Sequence, residues 1–180
     1  MSVTDYITED GSDKLSVAVV KRAFGHFATG VTVITGLHAG TPYGFTCQSF
    51  VALSMNPPYI SFCPSKSSES WPMIRSAGAV AVNVLGSHQA DKCERFARRG
   101  IDRFKGTEWF PGVNGAPALM GTLARFEANV VDEVHAGDHT IVVAELTDVW
   151  TSAEQRPLLY YQSKFAPPQE FFDSPHPDSV

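Results

Sequence analysis

Three stretches of the chain carry side chains whose types and spacing suggest chemistry. In Gly44-Phe45-Thr46-Cys47-Gln48-Ser49-Phe50, hydroxyl and amide groups interrupt an otherwise apolar extended run. Such groups hydrogen-bond the rim of a heteroaromatic ring, and they also occur on a bent edge strand whose polar residues face water. In Cys63-Pro64-Ser65-Lys66-Ser67-Ser68-Glu69-Ser70, hydroxyls and a lysine stand between a strand end and a helix start. Free N–H groups at a helix N-terminus attract anions, so this run reads as an anion site or, as readily, as a set of serine caps. The third stretch is Gly137-Asp138-His139-Thr140. His135 and His139 are four apart, as paired metal ligands would be on a helix. Their β-branched flanks, Val130-Val131 and Ile141-Val142-Val143, favour strands instead, so the shared-face geometry fails. His139 is left as a turn histidine, functional or merely exposed.

What is missing narrows the chemistry further. The chain has no G-x-G-x-x-G turn, no P-loop lysine motif, no H-E-x-x-H pair and no G-x-S-x-G elbow. Cys47, Cys63 and Cys93 are odd in number and form no Cys-x-x-Cys pair, which argues against a disulfide framework or a structural metal site. Cys47 has no identifiable base near it in sequence, so packing or ligand contact is its expected role. Fourteen Lys and Arg against nineteen Asp and Glu give a net charge of −5, the wrong sign for a dedicated nucleic-acid binder. Charged residues are only 18% of the chain, against about 25% in average proteins, which points to area buried in an oligomer interface or against a ligand. The first ten residues are acidic where a signal peptide would be basic, and no apolar run approaches the ~18 residues of a membrane span. The expectation is a soluble, cytoplasmic protein that does not engage membranes.

The elements that must position these stretches can be read from periodicity. The length of 180 residues suits one domain. Residues 1–15 read as a loose arm, 16–166 as the domain and 167–180, proline-rich, as a mobile tail. Ser16 caps a helix whose Val20, Ala23, Phe24 and Phe27 follow helical spacing and which Gly30 ends. Strands are expected over 31–35, 43–53, 59–63, 79–85, 123–134, 140–150 and 157–165. Short helices are expected over 71–76 and 89–98, an ordered loop over 100–121 and a hairpin connection over 135–139. Helices come early and the long hairpin late, which is not the alternation of a doubly wound parallel sheet. The reading is a mainly β fold: an antiparallel barrel with helices packed outside it.

Taken in order, the motifs resemble those of the flavin reductase family, the short-chain reductase components of two-component flavin-dependent monooxygenases. The landmarks are Phe27-Ala28-Thr29-Gly30-Val31-Thr32-Val33-Ile34-Thr35, the Gly44–Phe50 stretch above, Leu53-Ser54-Met55-Asn56-Pro57-Pro58 and Phe62-Cys63-Pro64-Ser65-Lys66. Ala81-Val82-Asn83-Val84-Leu85, the Gly-Asp-His-Thr turn and Pro157-Leu158-Leu159-Tyr160-Tyr161 complete the series. The Cys-Gln-Ser form is most similar to reductases that serve phenol and steroid-ring hydroxylases.

The resemblance implies an FMN-binding split β-barrel that holds its flavin at a homodimer interface. It also implies hydride transfer from NADH or NADPH to FMN or FAD, with reduced flavin diffusing to a partner monooxygenase. By position it assigns flavin contacts to Pro42, Tyr43, Gly44, Phe45, Thr46, Gln48 and Ser49. Cys63, Pro64 and Ser65 should line the site, with Lys66, Glu69 and Ser70 near the phosphate and Arg95-Phe96 as a further cofactor-contacting pair. Asp138 and His139, together with Tyr160, Tyr161, Gln162 and Ser163, fall on the nicotinamide side, with His139 as the catalytic candidate. Relatives commonly carry Arg-Gly where this chain has Gln162-Ser163, which bears on dinucleotide affinity. A non-catalytic flavin carrier, or an oxidase of the pyridoxamine-phosphate type on the same barrel, would keep much of this pattern.

Overall fold

The computed structural model describes residues 15–153 and 156–166. The expected arm, apart from Leu15, and the expected tail lie outside these residues. The chain opens with helix α1 (Val17–Phe24) and a two-residue strand β1 (Thr29–Gly30). Then come β2 (Thr32–His38), β3 (Thr41–Cys47), β4 (Val51–Met55) and β5 (Pro58–Phe62). Helix α2 (Trp71–Ala77), β6 (Ala79–Val84) and α3 (Ala90–Ala97) follow. The second half is strand: β7 (Trp109–Pro111), β8 (Pro117–Leu119), β9 (Ala124–Ala136), β10 (His139–Thr151), β11 (Leu159–Tyr161) and β12 (Lys164–Ala166).

Seven strands form one antiparallel sheet in the order β3-β2-β6-β9-β10-β5-β4. Its register shifts at Val143/Ala144, Leu146/Asp148 and Ala52/Ser54, and irregularities of that kind bend and twist a sheet. The alternation of β2 divides the interior. Ile34 points into a core with Phe62, Trp71, Ile74, Val82 and Val142, while Val31 and Val33 point to a second core with Leu85, Phe96, Leu119 and Leu158. One core is closed by α2 through Trp71 and Ile74, the other by α3 through Cys93 and Phe96. The mainly antiparallel β reading with helices outside is therefore correct.

Five local expectations need correction. Helix α1 ends at Phe24 rather than Gly30, because Gly25 follows and Thr29 and Gly30 are drawn into pairing with Tyr160 and Leu159. Phe27 lies beyond the helix, and no residue of α1 is buried. The run 43–53 breaks at Gln48–Phe50 into two strands. The run 100–121 contains a β7–β8 hairpin, held by Asn114 N–H donating to Glu127 Oε2 at 2.8 Å. The hairpin at 135–139 is tighter than expected: Ala136 pairs with His139, leaving Gly137 and Asp138 as a two-residue turn with φ +56° at Gly137. The strand at 157–165 is likewise two strands, joined by Gln162 and Ser163 with φ of 47° and 63°. Among the described residues no helix is long and apolar enough to cross a membrane.

Candidate functional site

The ends of β3 and β5 meet through one hydroxyl. Ser49 Oγ accepts the Cys63 N–H at 2.8 Å and lies 3.2 Å from Cys47 Sγ. Thr46 Oγ1 donates to the Cys93 carbonyl at 2.7 Å, which ties β3 to α3. The segment leaving β5 then docks on the β9–β10 turn. Thr140 N–H donates to the Pro64 carbonyl at 3.0 Å, Lys66 N–H donates to the Asp138 carbonyl at 2.9 Å, and Ser65 pairs with His139. The Lys66 ammonium completes the clamp on the Gly137 carbonyl at 2.6 Å. These bonds carry His139 from the far hairpin to the mouth of β3.

They enclose a cavity of about 700 Å³. Phe45, Thr46, Gln48 and Ser49 from β3 and its exit line it, as do Cys63, Pro64, Ser65 and Glu69, Phe96 of α3, and His139. A second cavity of about 740 Å³ adjoins it, sharing Phe24, Gln48 and Ser49, and adds Phe27, Thr29, Tyr160 and Ser163. Gln162 and Ser163 reach a third cavity of about 450 Å³ beside α1.

Other positions assigned from the resemblance stand off these walls. Gly44 lies behind the Phe96 ring, and Pro42 and Tyr43 sit farther along β3 with Tyr43 edge-on to His38. Ser70 is buried and donates to the Gly44 carbonyl at 2.9 Å. Lys66 is committed to the hairpin, Arg95 donates to the Lys105 carbonyl at 2.8 Å, and Asp138 accepts from His139 Nδ1 at 2.8 Å. Tyr161 lies against His26. The serine run serves partly as caps: Trp71 N–H donates to Ser68 Oγ at 3.2 Å.

Two cations absent from the sequence assignment line the first cavity, Arg99 and Arg103. Arg103 donates to the Gly44 carbonyl at 3.0 Å and to Ser70 Oγ, and Arg99 donates to Ser67 Oγ at 2.7 Å. Burial pulls the Arg103 guanidinium below its ordinary value, and Glu69 opposes that shift. Their signal in the sequence is the run Arg95, Arg98, Arg99 and Arg103, a basic cluster in an acidic chain. Elsewhere, burial pushes the Cys47 thiol up and the Cys93 thiol to about 11, while the His139 imidazole holds the Asp138 carboxyl below its usual range.

A planar heteroaromatic ligand with an anionic tail fits the first cavity. Its volume is that of a small-molecule site. Phe45 offers an apolar face with the buried Phe96 behind the wall, Thr46, Gln48 and Ser49 offer ring-edge hydrogen bonds, and Arg99 and Arg103 offer charge for a phosphate.

Comparison with known proteins agrees with this reading. Residues 24–169 match the family model described as flavin reductase like domain. The reductase subunit HsaB of a flavin-dependent monooxygenase from Rhodococcus jostii is 38% identical over 162 residues, 88% of this chain and 83% of that protein. A flavin reductase of Pseudomonas putida is 34% identical over 81% of this chain and 86% of its own. Among solved structures, nitrilotriacetate monooxygenase component B from Mycobacterium thermoresistibile superposes with a TM-score of 0.83 at 38% identity, covering 88% of this chain and 90% of that one. The NADH:FAD oxidoreductase SgcE6 of Streptomyces globisporus, in complex with NAD and FAD fragments, gives 0.81 at 28% identity, covering 93% and 98%. By residues, fold and kinship, this chain belongs to the flavin reductase like domain family.

Proposed function

We propose that the protein is an NAD(P)H-dependent flavin reductase that transfers hydride from a nicotinamide to FMN or FAD and supplies reduced flavin to a partner monooxygenase. The observation that carries this is the shared wall of Phe24, Gln48 and Ser49 between the first two cavities, since two rings must touch for hydride to pass. The flavin, when bound, supplies the hydride-accepting ring, and the chemistry is otherwise the cofactors' own. The protein's part is binding and alignment. Phe45 offers stacking surface backed by the buried Phe96, Thr46, Gln48 and Ser49 fix the ring edge, and Arg99 and Arg103 hold the phosphate end. On the other side of the shared wall, Phe27 and Tyr160 receive the nicotinamide. His139, 46% exposed at the cavity edge, orients the dinucleotide by hydrogen bonding rather than by proton transfer.

The same reading makes the protein a homodimer with flavin near the subunit boundary. Phe24 and Phe27 at the cavities and Val51, Leu53 and Met55 on β4 are all at least half exposed, apolar area that suits contact with a second copy. Three free cysteines suit the reducing cytoplasm.

Steady-state oxidation of NADH and of NADPH with added FMN or FAD tests the proposal. Turnover that requires both partners supports it, whereas flavin binding without dinucleotide oxidation returns the carrier reading. Light scattering that finds only monomer in the flavin-loaded protein overturns the dimer.

A further inference from the structure

Helix α1 turns a cationic face toward the Gln162-Ser163 turn. Ala18, Lys21, Arg22 and Gly25 recur at the spacing that puts side chains on one side of a helix, and all four line the third cavity. Lys21, Gly25 and Ser163 line the second cavity as well, so the two spaces adjoin. Among the described residues, neither Lys21 nor Arg22 has a carboxylate within ion-pair distance, and both are exposed. The three cavities thus adjoin in series, like a trough: aromatic in the middle at Phe24, Phe27 and Tyr160, with Arg99 and Arg103 lining the first and Lys21 and Arg22 the third. In a chain of net charge −5, cations that make no ion pair with a carboxylate among the described residues stand at both ends, which matches two ring-bearing anions lying head to head with their charged tails outward.

Gln162 cannot supply charge at the α1 end. Its amide donates to His26 Nδ1 at 3.4 Å and to Tyr161 Oη at 3.3 Å, and the residue sits in a left-handed backbone conformation. We propose that Lys21 and Arg22 hold the diphosphate of the nicotinamide dinucleotide and so set its affinity. This rests on the reductase reading above. Lys21 stands where the aromatic middle gives way to the cationic end, the point at which a dinucleotide passes from ring to phosphate. Arg22, one residue on, offers a planar fork suited to phosphate oxygens.

The test titrates ADP-ribose, which carries the diphosphate without the nicotinamide, into FMN-loaded protein by calorimetry, beside stopped-flow reduction by NADH. In a Lys21→Gln/Arg22→Gln double variant, the ADP-ribose dissociation constant and the KM for NADH should rise together by about ten- to thirtyfold, the range for losing two solvent-screened charge-assisted contacts. FMN affinity should hold within about twofold, because the phosphate end of the flavin is at the opposite end of the trough. A Lys21→Arg/Arg22→Lys exchange, which keeps both charges, should restore most of the ADP-ribose affinity. ADP-ribose affinity that is unchanged in the Gln variant overturns the inference, as does a loss that the charge-keeping exchange fails to restore. If the wild type reduces flavin with NADH in either case, the reductase reading stands. Only a wild type that takes no hydride from NADH or NADPH removes both.

Discussion

The ring of Phe96 occupies the space that a side chain at Gly44 would need: a Cβ at position 44 would stand 2.7 Å from Phe96 Cε1. Phe96 is fully buried on α3 and lines the first cavity, so the glycine shapes the site by letting α3 lie close on β3. The carbonyl of Gly44 is held from the other side by Ser70 and Arg103. Neither the strand nor the ring is free to retreat. Gly44→Ala should therefore lower stability by about 1–3 kcal/mol, the usual range for an overpacked core. It should weaken FMN and riboflavin alike, because the displaced surface faces the ring and not the phosphate. Urea denaturation and fluorescence titration with both ligands check this.

Arg99 is expected to act on the phosphate instead. It lines the cavity, and among the described residues its hydrogen-bond partner is the Ser67 hydroxyl, which leaves further donors for an anion. Arg99→Gln should weaken FMN by about five- to twentyfold while riboflavin, which lacks the phosphate, changes less than about twofold. Lys66→Gln should behave differently. Its ammonium clamps the Gly137 carbonyl, so losing it loosens the hairpin and affects both ligands equally. Equal losses for FMN and riboflavin in Arg99→Gln would count against the anion site.

The cysteines should separate by position. Cys47 and Cys93 are buried, and burial raises both thiols, that of Cys93 to about 11. Cys63 is partly exposed and lines the first cavity. Iodoacetamide at pH 8 should modify Cys63 at least about tenfold faster than the other two, and added flavin should protect it; peptide mass mapping reads the order. For Cys93 the native state keeps its proton to higher pH than the unfolded chain does. Its contribution to stability is whole below the ordinary thiol value of 9.0 and is lost as pH rises through about 11. Denaturation midpoints should fall across that window in the wild type and less so in Cys93→Ala.

The long hairpin was legible because β9 and β10 are thirteen residues each and rich in β-branched side chains, and periodicity is informative over such lengths. The β3 exit and the β5 exit were legible as motifs, and the fold brings Thr46, Gln48, Ser49, Cys63 and Ser65 onto one wall. Contacts that depend on distant partners were hidden. Arg103 reaches the Gly44 carbonyl across 59 positions of sequence. Glu127 is fully buried in β9 because Arg125 and the Asn114 backbone satisfy its carboxylate, and no local pattern announces that. The turn at Gln162-Ser163 was hidden for another reason. Two-residue hairpin turns of this kind favour glycine and asparagine, and this chain has neither there.

His139 gives the sharpest expectation. It heads β10, and its position is over-determined by the Thr140–Pro64 and Lys66–Asp138 backbone bonds on either side. Its Nδ1 is engaged by the Asp138 carboxylate at 2.8 Å, which leaves Nε2 for a ligand. The ion pair itself is on the surface, with the Asp138 side chain 93% exposed, so it adds little to stability. What it adds is present above the ordinary aspartate range and is lost as pH falls through the lowered value of Asp138. Asp138→Asn should therefore leave the melting temperature at pH 7 within about 1 °C. His139→Ala removes the positioning hydrogen bond and should lower kcat/KM for NADH by about 5- to 150-fold, the equivalent of roughly 1–3 kcal/mol. Asp138→Asn, which releases the ring without deleting it, should show a smaller loss in the same direction. Stopped-flow reduction of bound flavin, run beside a flavin titration, separates an effect on hydride delivery from one on flavin binding. A His139→Ala protein with wild-type reduction rates would reduce His139 to a turn residue that caps the clamp and touches no ligand.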